Sequence, residues 1–519
     1  MKRDFSTLNG EFDLLVCGGG IYGAWTAYDA ALRGLKVALV EQGDWADATS
    51  SASSKLIHGG LRYLETYDFK LVRKALKERQ RLLRIAPHRV WPLRFGVPVY
   101  DDSRNGMLKL KAGLTLYDAL AGFPPEEMCH RRFGTANFLD HFPFLAAQGL
   151  RGGFTYGDAQ TDDARLVLEL VAGALSHGAA CVNYARLDAW SEAEGKVWGA
   201  TVRDEVSGAT VSVTARQCVN TSGQWLAMSE AGRNWCRLSK GVHLVLPALP
   251  THEAILLTAK SDGRVFFIIP WYGRTLLGTT DTDYHGDVNR VEVDVRDIDY
   301  LLAAANDYLP LKWTRQDVIA GYAGLRVMKQ SDAAHPSAAS RDWEIKTAAN
   351  GLHHSVGGKL TSAREDASVI VDMVCAQLGR MAACASGVCD MAWKPQPDFT
   401  VWSAEMTAHA RMLDIDGESA RWLLCRHGAR VAQVLRLVEQ TPQLAVRIVP
   451  ELPLIEADLL FCAQDEMVLH LSDLLRRRLP LLILAHLAIG EIRRMAECVA
   501  PVLGWDAVRI EQEVATCRA

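Results

Sequence analysis

The stretch "FDLLVCGGGIYGAWTAYDAALRGLKVALVEQ", residues 12–42, constrains the fold more than any other part of the chain. An apolar run, Leu14 to Cys17, meets Gly18, Gly20 and Gly23 in G-x-G-x-x-G spacing. A helical pattern follows through Ala31, and a second apolar strand from Lys36 to Val40 ends at Glu41. Gly18 permits the tight turn, Gly20 lets the backbone approach a pyrophosphate, and Gly23 lets helix pack on strand. The helix start offers unpaired N–H groups to phosphates, and Glu41 is placed to accept from a ribose hydroxyl. A glycine triplet alone is a weak signal. Strand, helix, strand and terminal acid at these offsets specify a dinucleotide-binding unit of a parallel α/β sheet. The carboxylate serves FAD or NAD equally.

The remaining bulk properties exclude more than they assign. At 519 residues the chain is long enough for two or three domains. A net charge of −4 is too mild to argue for nucleic acid, so any attraction to anions is local. The 12 cysteines include no C-x-x-C pair, and Cys384 and Cys389 have no histidines in metal-ligand order, so reduced thiols and no metal are expected. No segment approaches the roughly 18 consecutive apolar residues of a membrane span. "LPLLILAHLAIG", 479–490, is interrupted by Pro480 and His486 and reads as a buried helix, and "DLLVC" runs into glycines rather than a cleavage site. An intracellular, cytoplasmic protein is expected.

The second informative stretch is "SSASSKLIHGGLRYLE", residues 50–65. Ser50, Ser51, Ser53, Ser54 and Lys55 form a donor-rich loop suited to phosphates and a polyol chain. His58, Gly59, Gly60 and Leu61 follow, and paired glycines let backbone lie against a planar ring. This stretch, with "GGGIYGAWTAYDAALRGL", "KGVHLVLP", "IIPWYGRTLLGTTDTDYHGD" and "VGGKLTSAR", resembles the successive motifs of FAD-dependent glycerol-3-phosphate dehydrogenases, in order from near residue 11 to about 370. "DEMVLHLSDLLRRR", 465–478, resembles the acid-and-arginine signature of that family's helical C-terminal domain. The resemblance implies FAD as cofactor and oxidation of sn-glycerol 3-phosphate to dihydroxyacetone phosphate, with hydride passing to flavin N5. It also implies a quinone or other electron acceptor, peripheral contact with the cytoplasmic face of the inner membrane, and allows a homodimer. "MLKLKAGLTLYDALAG", 107–122, with Lys109 and Lys111, reads either as a basic interfacial helix or as a core-facing one. Oxidation of another small anionic hydroxy or amino compound, or a non-catalytic flavin-binding role, stays open.

The fold expected is α/β: an FAD-binding Rossmann-like domain (10–90, 150–240 and 321–390) interleaved with an antiparallel-sheet substrate domain (91–149 and 241–320). An all-helical domain follows over 400–519. Ser222 and Gly223 in "NTSGQW", and Gly357, Gly358, Lys359, Leu360 and Thr361 in "VGGKLT", are expected at the flavin. The resemblance assigns Arg62, Tyr63, Arg326, Arg341 and Lys359 to the substrate, where guanidinium groups match a phosphate bidentately. His243, breaking an apolar strand, reads as the general base or as a core histidine, and Lys359 is the other polar candidate. Thr279, Thr280 and Asp281 are expected to shape the substrate pocket. Three positions depart from the family pattern: Tyr22 for asparagine, Gln224 for proline, and Val327 for the proline after the substrate arginine.

Overall fold

The computed structural model of the chain describes residues 1–519 apart from Thr66, Ala231, residues 331–341, Arg518 and Ala519. Arg341 therefore lies outside the described residues. The apolar strands of the dinucleotide unit, Glu11–Cys17 and Val37–Val40, pair in parallel at the centre of an eight-stranded sheet. All four residues of Val37–Val40 are buried, as a parallel strand covered on both faces requires. Ala180–Val182 flanks this pair on one side. Thr210–Asn220 and then His353–Val356 flank it on the other, all in parallel register. Helices Ile21–Leu32, Asp163–Ser176 and Ala363–Gln377 pack together against the sheet through a common apolar core that includes Trp25, Leu170 and Ile370.

The second sheet has ten strands and is almost wholly antiparallel. Cys236–Pro247 pairs with Arg274–Gly278 on one side and along Ala320–Lys329 on the other. Two boundaries differ from the sequence reading. Leu150–Thr161 is not a strand of the FAD-domain sheet, because it pairs with Val90–Tyr100 along its length in the second one. Ala320–Lys329 likewise belongs to the second sheet, its register with Cys236–Pro247 running from Ala320 opposite Val245 to Lys329 opposite Cys236. An apolar strand carries no mark of which sheet edge it will join, so both were invisible locally.

From Phe399 onward the described chain is helical apart from short connections. The C-terminal helices share a core with the second sheet, and the acid-and-arginine signature docks them on the first domain. Asp44, fully buried, accepts from Arg477 Nε at 2.7 Å and from both terminal nitrogens of Arg478 at 2.6 and 2.8 Å. Helix Met107–Leu120 buries Leu114, Tyr117 and Asp118 but leaves Leu108 83% exposed, with Lys109 and Lys111 in solvent. No helix among the described residues is long and apolar enough to cross a membrane, and the cysteines make no disulfide.

Candidate active site

A cavity of about 520 Å³ runs between the two sheets and is lined from Glu41 at one end to Arg326 and Lys359 at the other. Its first end is built by the glycine loop. Gly18, at φ +108, passes so close to the Thr221 carbonyl that a Cβ would meet it at 2.7 Å. Gly23 packs on Gly18 and lies outside the lining, matching its expected role in helix–strand contact. Glu41 accepts from the Gly19 amide at 2.6 Å and the Gly43 amide at 2.9 Å. Burial pushes its carboxyl up to about 7, since the charged form loses its water.

The serine-rich loop is divided among several partners rather than spent wholly on one ligand. Ser50 Oγ accepts from the Ile21 amide at 2.9 Å and stays at the cavity wall. Ser53 donates to Asp163 at 2.6 Å, and Ser54 Oγ pairs with His243 Nε2 at 2.8 Å. Three expected cofactor contacts lie outside the cavity lining. Lys55 is 2% exposed, its ammonium held by Asp163 at 2.6 Å and lying 4.7 Å from the Trp271 ring centroid. It neutralises a buried carboxylate, outside the cavity lining, and so is unavailable to a phosphate. Ser51 donates to the Ala48 carbonyl at 3.3 Å and is also outside the lining. Gly59 faces the other way from the ring as well, because its amide donates to Tyr117 Oη at 2.9 Å and a Cβ would strike Leu76. Gly60, at φ +75, His58 and Leu61 do line the cavity.

At the far end Ser222, Gly223, Gly357, Gly358, Leu360 and Thr361 line the wall. Helix Ala363–Gln377 starts here at Ser362, and helix Ile21–Leu32 starts at Gly20 in the glycine loop of the first end; neither N-cap residue caps its helix with its own side chain. Such helix starts suit an anion, and the first amide of the glycine-loop helix is already taken by Ser50. Arg62, Arg264, Arg326 and Lys359 converge there, with Asp281 among them. Arg326 donates to Thr279 Oγ1 at 2.8 Å and to the Thr280 carbonyl at 3.1 Å. Lys359 Nζ sits 3.7 Å from the Tyr63 ring centroid and Arg62 lies 5.6 Å from it. His243 is 1% exposed and stacks on Tyr322 at 5.1 Å between centroids. Its Nδ1 is buried without a hydrogen-bond partner. Burial, then Arg326 and Lys55, hold its pKa well below 6.5.

Comparison with known proteins decides the family. Residues 13–364 match the FAD dependent oxidoreductase family, and residues 398–510 match the C-terminal domain of alpha-glycerophosphate oxidase. A glycerol-3-phosphate dehydrogenase of Synechocystis sp. is 35% identical across 99% of this chain and 97% of its own length. The chain belongs to the FAD-dependent glycerol-3-phosphate dehydrogenase family. Glycerol-3-phosphate dehydrogenase 2 of Mycobacterium tuberculosis is 35% identical over 98% of this chain and 88% of its own length. Among solved structures, the glycerol-3-phosphate dehydrogenase of Bacillus halodurans complexed with FAD superposes with a TM-score of 0.80 at 29% identity, covering 99% of this chain and 95% of that one. FAD is the cofactor of this glycerol-3-phosphate dehydrogenase family member. The glycine-lined cavity fits it, with an acid and the glycine loop at one end and positive-φ glycines at the other.

Several residues of the site carried no signal of their own. Asp163, which organises Ser53 and Lys55, is a helix-start acid like many others. Arg264 donates to the Asp281 carbonyl at 2.7 Å and adds a cation to the cavity wall. Thr221 closes the glycine loop by donating to Cys17 O at 2.8 Å. Of the departures from the family pattern, Gln224 is buried and donates to the Val288 carbonyl at 2.6 Å, while Val327 lines the cavity beside Arg326. Tyr22 is wedged between the glycine loop and Lys359.

Proposed function

We propose that the chain oxidises sn-glycerol 3-phosphate to dihydroxyacetone phosphate. The observation that carries this reading is the meeting, in one cavity, of four cationic side chains and a buried histidine with an unpartnered ring nitrogen. FAD, when bound, supplies the two-electron acceptor for the hydride that leaves C2. The chain's own residues supply the rest. Arg62, Arg326 and Lys359 hold the phosphate dianion. Tyr63 orients Lys359 by offering its ring face to the ammonium. His243 takes the C2 hydroxyl proton. Its lowered pKa keeps it neutral at working pH, and the Ser54 contact at Nε2 leaves Nδ1 as the free ring nitrogen.

Anaerobic mixing of the yellow protein with sn-glycerol 3-phosphate should bleach the flavin absorbance promptly. Absence of bleaching with this compound, together with bleaching by another hydroxy or amino acid, would refute the substrate assignment. The same reading extends to a quinone acceptor, a homodimer and a location on the cytoplasmic membrane face. Leu108, Lys109, Lys111 and the exposed Phe123 offer an apolar and basic surface for that contact. Co-sedimentation with anionic vesicles, and reoxidation rates with a quinone against oxygen, test these two extensions; light scattering tests the third.

A further inference from the structure

Tyr22 stands in the first turn of the dinucleotide helix, yet its hydroxyl reaches the opposite wall of the cavity. Oη accepts from the Lys359 amide at 3.0 Å and donates to Asp366 Oδ2 at 2.7 Å. Asp366 is fully buried and is itself held by Ser362 Oγ at 2.9 Å and by Lys74 Nζ at 2.5 Å. The polarity of the chain is thereby fixed: the Lys359 amide can only donate to the hydroxyl, and the phenol proton goes to the Asp366 oxygen that Ser362 also approaches. The neighbouring Gly358 is at φ +104, and a Cβ there would overlap Tyr22 Oη. Glycine at 358 and tyrosine at 22 therefore fit as a pair, and the Tyr22 hydroxyl holds the peptide between Gly358 and Lys359 at close range. An asparagine, the residue of the family pattern, is shorter than the span from the glycine loop to Asp366.

We propose that Tyr22 is a positioning residue for Lys359, setting the place of its ammonium by clamping its backbone. The inference rests on the reading of Lys359 as a substrate-holding cation. Tyr22→Phe removes one oxygen and keeps the ring that fills the wall, so the fold survives. Loss of one net hydrogen bond to the loop predicts a rise of about threefold to tenfold in KM and in the dissociation constant for dihydroxyacetone phosphate. The latter is read from perturbation of the flavin spectrum, with kcat changing less. In a Lys359→Ala background the same Tyr22→Phe change should alter both constants by less than about twofold, because its effect passes through the lysine.

An unchanged KM and product affinity in Tyr22→Phe, with Lys359→Ala weakening both, would overturn the positioning role and leave the substrate reading intact. Independent, multiplying effects in the double variant would overturn it too, by making Tyr22 a structural residue only. A Lys359→Ala enzyme with wild-type KM would instead remove the reading of Lys359, and the inference with it.

Discussion

The charge of Arg326 should be visible in the pH dependence of the base. The guanidinium lies directly over Gly241, where a Cβ would strike it. Gly241 is two residues from His243 on the same strand, which puts the charge roughly 7 Å from the imidazole at the rise of an extended chain. Two unit charges at that separation interact by about 2 kcal/mol in a medium of effective dielectric about 20. That converts to between about one and two pH units on the histidine. Burial contributes more and stays after mutation. With neutral His243 as the proposed active form, its depressed pKa extends activity toward acid. Arg326→Met should therefore move the acid limb of kcat/KM upward by about one to two units, on top of a large loss in absolute rate. Arg326→Lys keeps the charge and should leave the limb near its original place. The substrate phosphate also titrates, near pH 6, but it is common to every variant and cancels in the comparison. The assay is dye-linked oxidation from pH 5 to 8 with both variants. Superimposable acid limbs for Arg326→Met and Arg326→Lys would refute His243 as the base or Arg326 as its charged neighbour.

Lys55→Met should destabilise the fold by about 3–5 kcal/mol in urea denaturation, because Asp163 keeps its Ser53 contact but is left buried without its cation; a loss under about 1 kcal/mol would mean that the remaining donors suffice for the carboxylate. Gly358→Ala should yield protein with little bound flavin, since both its left-handed φ and the overlap with Tyr22 oppose a methyl group, and the flavin-to-protein absorbance ratio measures this. FAD should dissociate faster at pH 6 than at pH 8. The Glu41 carboxyl takes a proton near 7 and in that form accepts less well from Gly19, Gly43 and the ribose; Glu41→Gln should abolish the difference. Stability should fall as pH drops below 6.5. His243 and His88 are lowered by burial, and His427 and His354 are held at about 4, so the unfolded chain binds protons that the native one refuses. Urea midpoints equal at pH 7.5 and pH 5 would contradict that sign.

Legibility in the sequence followed the distance over which each signal acts. The glycine loop, its helix and Glu41 lie within one stretch, and period and offset alone locate them. Family resemblance extended that reading to the cavity's other end, where Arg62, Tyr63, Arg326, Lys359 and the glycines of "VGGKLT" all line the wall. The loop's remote partners left no local mark. Ser54 meets a histidine 189 residues away and Lys55 a carboxylate 108 residues away. A polar loop read alone gives every donor to the ligand, because nothing local announces a remote acceptor. Strand membership failed in the same way: Leu150–Thr161 takes its sheet from Val90–Tyr100, about sixty residues earlier in the chain.

Those remote partners make the serine loop more than a cofactor grip. Ser50 fastens it to the first helix of the dinucleotide unit, and Ser53 to the helix that begins at Asp163, both beneath the first sheet. Thr49 donates to Leu325 O at 2.6 Å, on the strand that carries Arg326, and Ser54 holds His243 on the strand beside it. One short segment thus ties the phosphate end of the cavity to the residues proposed as base and substrate cation on the other sheet. A dehydrogenase needs its base held to within a fraction of an ångström of the substrate, and here the segment that lines the cofactor cavity also holds the proposed base.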